Sequence, residues 1–217
     1  MNIDFLEIAY KLAVMFLPFL FALSVHEFAH GWVAKLKGDR TAEQLGRLTI
    51  NPMAHADPIG TFALPIMSIV FGSPIFFGWA KPVPVDPRYL SKPRSDMFWI
   101  ALAGPLSNVI MAVLAAGVMG LLVLQFGNLV ALPAVVKFMN AFILINLFLA
   151  VFNMIPVHPL DGGKVLARFL PHQWNDWLER NEMTTSLVLF ALILTGALAI
   201  LRFPVMWMHS FLTSWIV

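Results

Sequence analysis

Apolar residues run along this chain in long blocks divided by short polar stretches, at about 8–34, 59–77, 97–124, 138–157 and 184–203, with a shorter sixth stretch at 204–217. An α-helix rises 1.5 Å per residue, so roughly 20 apolar residues cross a hydrocarbon core about 30 Å thick. The pattern predicts an all-α polytopic membrane protein with about five to six membrane segments. The stretches between blocks are too short for a separate soluble domain, and no internal repeat, low-complexity segment or linker interrupts them. One integral-membrane domain over 1–217 is the expected organisation.

The block at 59–77 breaks the regularity. It contains Pro65 and Gly72-Ser73-Pro74, and "GWAKPVPV" at 78–85 follows it, where Pro82 and Pro84 oppose a helix. Charge explains why a simple crossing fails there. Lys35, Lys37, Arg40 and Arg47 fall in 35–58, Lys81, Arg88, Lys92 and Arg94 in 78–96, and Lys164, Arg168 and Arg180 in 158–183, while 125–137 offers only Lys137. Basic loops favour the cytoplasmic side, yet the first two flank the same block and could not share a side if it crossed once. A re-entrant excursion is therefore expected, with 78–85 returning as extended chain; a plain extra span that breaks the charge rule is the alternative. Non-helical backbone at membrane depth survives only against protein or a water-filled cavity. "LGRLTI" at 45–50 alternates as a strand would, so the excursion is expected to include an extended β element.

Composition sharpens this picture. The chain is 59% hydrophobic and only 12% charged, about half the charged share of a soluble domain. Its net charge of +2 does not signal nucleic acid, because the cations sit in loops where they set topology. Cysteine is absent, which excludes disulfides and thiolate metal sites. The start, "MNIDFLEIAYKLAVMF", places Asp4 and Glu7 before its apolar run and reads as a retained first helix.

Against that background "FALSVHEFAHGWVAK", residues 21–35, is anomalous, because it sets His26, Glu27 and His30 in an apolar run. Ionisable residues inside a membrane span are expensive and mark function by default. Positions four apart share a helix face, so His26 and His30 can aim ring nitrogens at one point, the H-E-x-x-H zinc arrangement with Glu27 as general base. A catalytic zinc usually takes three protein ligands. "NLFLAVFNMIPVHPLDGGKV", 146–165, supplies Asp161 as the best third ligand and His158 as its rival. By local sequence Asp161-Gly162 is an ordinary turn pair; the histidine pair tips the reading toward a ligand.

His26-Glu27-Phe28-Ala29-His30, "AGPLSN" (103–108) and "NMIPVHPLDGG" (153–163) together resemble the site-2 protease family of intramembrane zinc metalloproteases, peptidase family M50. "GRLTINPMAHADPIGT" (46–61) and "FGWAKPVPVDP" (77–87) resemble its compact prokaryotic branch, which lacks PDZ and CBS domains. The resemblance covers about 20–168. It implies that His26, His30 and Asp161 bind one zinc ion per chain, that Glu27 activates water, and that the substrate is a transmembrane helix of another protein. It also implies an active site toward the cytoplasmic side of a prokaryotic inner membrane. His158 departs from the family, where an apolar residue or Pro is usual.

Asn108 and Asn153, amides in apolar segments, are candidates to bind the oxyanion or substrate backbone, against plain helix–helix hydrogen bonding, which membrane Asn also serves. Asn146 is assigned to that structural role, and His55 is a candidate accessory residue beside Asp57. Segments 45–50 and 81–85 are expected to flank the metal and present a strand edge to unfolded substrate. The competing function is a metal-binding transporter or sensor, although a transporter would usually show related halves with paired broken helices.

Overall fold

The computed structural model describes residues 5–72, 76–127 and 132–216. Its long helices are α1 (Phe5–Leu36), α5 (Pro93–Phe126) and α6 (Leu132–Asn153), each long and apolar enough to cross a membrane. Between α1 and α5 lie α2 (Thr41–Gln44), α3 (Pro52–His55) and α4 (Pro58–Phe71). After α6 come α7 (Asp161–Ala167), α8 (His172–Arg180) and α9 (Glu182–Leu194). A 3-10 turn, Ala197–Leu201, then leads into α10 (Arg202–Thr213). α9 and the stretch Ala197–Thr213 bend by 80° at their junction, so together they count as at most one broken span.

Candidate spans therefore number three, or four with the bent pair, among the described residues. The five to six segments expected from apolar blocks are not reached by this count, because blocks 184–203 and 204–217 fall in the bent pair and α4, at Pro58–Phe71, is a shorter apolar helix. Part of the predicted break after α4, Ser73-Pro74, lies outside the described residues.

α5 is the central element, packing against α1, α6 and α7. Its inward face is small: Ala112, Ala115 and Ala116 are buried with Met119, while Val113, Leu114, Val118 and Leu121 point outward and are exposed. Small residues inside and bulky ones outside suit a helix that meets protein on one side and lipid on the other. α10 closes the same core, Val205 burying against Ile143 and Leu147 of α6. On the opposite side of α6, Leu149 packs with Phe16, Phe19 and Leu23 of α1 and Ile69 of α4.

Among the described residues no strand forms, which corrects the expected β element at 45–50 and 81–85. Residues 76–86 run without regular structure. Pro82 and Pro84 have no N–H to donate to a ladder. Val83 N–H is taken by Glu27 Oε2 at 2.8 Å, and Arg47 Nη2 occupies the carbonyls of Lys81 and Pro82. The segment is held by these and by two main-chain bonds, Trp79 N–H to Gly60 O and Lys81 N–H to His55 O. Asp39 caps the start of α2 through Oδ1 and accepts Asp86 N–H at Oδ2. The loops on either side of α4 are thus stitched together.

Candidate active site

α1 delivers His26 and His30 one turn apart on the same helix, with Glu27 next to His26, and all three are buried. Each imidazole is fixed from behind. His26 Nδ1–H donates to Asn108 Oδ1 at 2.6 Å, and His30 Nδ1–H donates to Ile100 O at 2.7 Å, both acceptors lying on α5. Pro105, inside α5, withdraws the N–H that would have bonded Ala101 O, and the neighbouring carbonyl of Ile100 is the one that turns to His30.

With both Nδ1 atoms donating, both Nε2 atoms carry lone pairs, and they converge with Asp161 Oδ2. The separations are 3.0 Å between the two Nε2 atoms, 3.1 Å from His26 to Asp161 and 3.3 Å from His30 to Asp161. Three acceptors this close repel one another unless a cation or added proton lies among them. Donors about 2.0–2.1 Å from a tetrahedral zinc stand roughly 3.3 Å apart, so the spacing and the two-nitrogen, one-carboxylate donor set fit that ion. A Glu27 carboxylate oxygen lies within 4.8 Å of the imidazole donors.

Gly104 makes the convergence possible. A Cβ built there would meet His30 Nε2 at 2.4 Å and His26 Nε2 at 2.6 Å, so α5 can pass this close only with no side chain. Asp161 is aimed by similar means. It opens α7, and a Cβ on Gly162 would strike the carbonyl oxygens of Met154 and Ile155 at 2.4 Å, so the glycine lets α7 fold back onto the chain leaving α6. At the other end of α7, Arg94 from the first turn of α5 donates to Ala167 O, at 3.1 and 2.9 Å, and to Leu170 O.

Asn108 is fully buried and fully used: its Oδ1 serves His26, and its Nδ2 donates to Ala22 O at 3.3 Å and to Asn146 Oδ1 at 2.9 Å. Asn146, equally buried, donates in turn to Phe142 O. A polar chain across α6, α5 and α1 thus ends on a candidate ligand. In the sequence Asn146 reads as a helix–helix hydrogen-bonding residue; the one usable signal is an Asn on each of two apolar helices in a chain with an H-E-x-x-H pair. Asn153 is half-buried at the inner end of α6 and donates to Leu149 O on its own helix, with no bond to the three donors.

His158 is buried with its Nε2 unpartnered among the described residues; burial pushes its pKa down, against the pull of Glu182. His55, also buried, donates Nε2–H to Thr49 O at 2.7 Å, bracing the loop that carries α3.

A helical membrane bundle in which an H-E-x-x-H pair meets a distant carboxylate has the features of a membrane-embedded metalloprotease. The sequence profile of peptidase family M50 matches residues 14–128 and 117–196. The chain belongs to that family, the site-2 proteases. It is 38% identical over 154 residues to "Putative zinc metalloprotease YwhC" of Bacillus subtilis, covering 69% of this chain and 66% of that protein. It is 30% identical over 182 residues to "Putative zinc metalloprotease Rip2" of Mycolicibacterium smegmatis, covering 82% of this chain and 66% of that one. "Putative zinc metalloprotease MJ0611" of Methanocaldococcus jannaschii is 36% identical over 113 residues, 52% of this chain and 50% of that protein. The matched region thus spans slightly under two thirds of the first two relatives. No solved structure matches the chain at a significant level.

Proposed function

We propose that the chain is an intramembrane zinc metalloendopeptidase that cuts membrane-protein substrates within or near their transmembrane helices, with the site toward the cytoplasmic face of a prokaryotic cell membrane. The observation that carries it is the convergence of His26 Nε2, His30 Nε2 and Asp161 Oδ2 within 3.0–3.3 Å, beside Glu27. These three side chains would hold one zinc per chain. A zinc ion bound there supplies Lewis-acid polarisation of the scissile carbonyl and lowers the pKa of its water to about 7.

Glu27 holds and moves the proton. It takes one from the attacking water and delivers it to the departing amide nitrogen. The Val83 N–H on Oε2 fixes the carboxylate and leaves its other oxygen for that work. Asn108 acts through His26: it holds Nδ1 protonated so that Nε2 keeps its lone pair, and Asn146 orients Asn108. Asn153, at the mouth of α6, is the amide left to bind the oxyanion or the substrate main chain. The return segment 76–86, which touches Glu27, lines the path of the unfolded substrate, and α4 with that segment forms a re-entrant excursion, as the bonds between its flanking loops support.

The test is peptide cleavage of a panel of single-span substrates with zinc quantified in parallel. Wild type should carry one zinc per chain and lose cleavage on chelation. Glu27→Gln should keep the zinc and lose at least about 100-fold in cleavage, the lower end for a general acid–base group. Zinc bound without cleavage of any substrate by wild type would instead favour the transporter or sensor reading.

A further inference from the structure

A cavity of about 400 Å³ lies between α6, α1, the return segment and the bent C-terminal pair. Its walls are Phe19, Phe76, Phe77, Phe148 and Phe152 with aliphatic side chains, and one charged residue, Arg202, lines it. Arg202 is exposed, and among the described residues it makes no ion pair or hydrogen bond. It stands inside a broken apolar span, just after the 3-10 turn. A cation held unpaired beside an apolar cavity in lipid asks for an anion.

The lining selects the kind of occupant: walls of five phenylalanines and aliphatic side chains with a single cation at the edge suit a flexible hydrocarbon chain that carries an anionic head. Depth agrees. Leu198 and Leu201 pack with Phe152 and Leu160 near the inner end of α6, and Val205 packs with Ile143 and Leu147 farther in. Arg202 lies between these levels, about one to two turns below the end of α6, from where a long arginine side chain reaches the headgroup region. The exposed Leu194 and Phe203 beside it leave the rim apolar toward lipid.

We infer that this cavity binds one acyl chain of an anionic phospholipid, with the lipid phosphate paired to the Arg202 guanidinium. The lipid wedges the C-terminal pair against α6 and covers the apolar wall that backs Leu160, the residue before Asp161. The pairing is electrostatic and bidentate in the manner arginine makes with phosphate.

The inference does not depend on proteolysis, and its test uses none. Full-length protein in nanodiscs of equal phosphatidylglycerol and phosphatidylcholine is transferred to detergent, and retained lipid is counted by native mass spectrometry, with zinc content and helicity as fold controls. Wild type should retain one phosphatidylglycerol per chain in at least tenfold preference to phosphatidylcholine. Arg202→Gln, a change at an exposed position, should erase the preference, and Leu198→Trp should lose both lipids by filling the cavity. Equal retention of the two lipids by wild type, or an unchanged preference in Arg202→Gln, overturns the inference. So does photocrosslinking from position 198 in Glu27→Gln that captures a substrate span in place of the phospholipid, which would make the cavity a substrate site.

Discussion

The imidazole of His26 is held from behind by Asn108, which Asn146 holds in turn. Metal-ligating histidines depend on the group behind the far nitrogen, whose loss typically lowers metal affinity 10- to 100-fold. Asn108→Ala is therefore expected to weaken zinc binding by that factor, measured by competition with a chelator of known affinity, while the protein stays folded. Asn146→Leu removes the bond that orients Asn108, along with Asn146's own bond to Phe142 O one turn back in α6; a membrane hydrogen bond to Asn108 of about 0.6 kcal/mol predicts a loss of roughly threefold. If Asn108 instead bound the oxyanion directly, Asn108→Ala would reduce turnover and leave zinc affinity untouched. The commitment of its Oδ1 to His26 and of its Nδ2 to Ala22 and Asn146 argues for the first outcome.

At the scale of elements, Asp161 depends on α7, a helix of only 7 residues that is too short to be stable alone. It is held at its start by the close passage of Gly162 over the carbonyls of residues 154 and 155, and at its end by the Arg94 guanidinium. The last carbonyls of a helix have no partner within it, and here an arginine from α5 supplies one. Arg94→Gln should loosen α7 and lower zinc affinity by about fivefold, taking roughly 1 kcal/mol for a partly exposed charged hydrogen bond. A Lys replacement, a single donor centre for three bonds, should rescue only in part. Unaltered zinc affinity in Arg94→Gln would show that the glycine turn alone fixes Asp161.

Over the whole molecule, the loops before and after α4 are joined by Arg47 on Lys81 and Pro82, by Asp39 on Asp86 N–H and by the His55–Lys81 main-chain bond, and the proposed re-entrant α4 would set both loops at one membrane face. The chain has no cysteine, so single-cysteine variants give clean labelling. Cysteines at Arg40 and at Arg88, both exposed, should react with a membrane-impermeant maleimide from the same side of oriented vesicles. Labelling from opposite sides would mean that α4 crosses the bilayer and that the basic-loop rule fails here. The same loops also carry the bond from Val83 to Glu27, so topology and chemistry are coupled through one stretch of irregular chain.

The sequence by itself determined the long apolar helices, the loops in which the basic residues gather and the pairing of His26 with His30, because a helical repeat and a transfer free energy are local properties that need no partner. It also marked Asp161, by the chemistry a zinc site lacks when only two histidines are present. The tertiary structure alone showed that the C-terminal apolar stretch is broken, since block lengths do not show a bend of 80° near residue 195. It alone decided that the return segment is not a strand, since that depends on which neighbour takes each N–H. And it alone showed Asn108, Asn146 and Gly104 supporting the imidazoles, because a hydrogen bond or a close approach between residues some 80 positions apart exists only once the helices have packed.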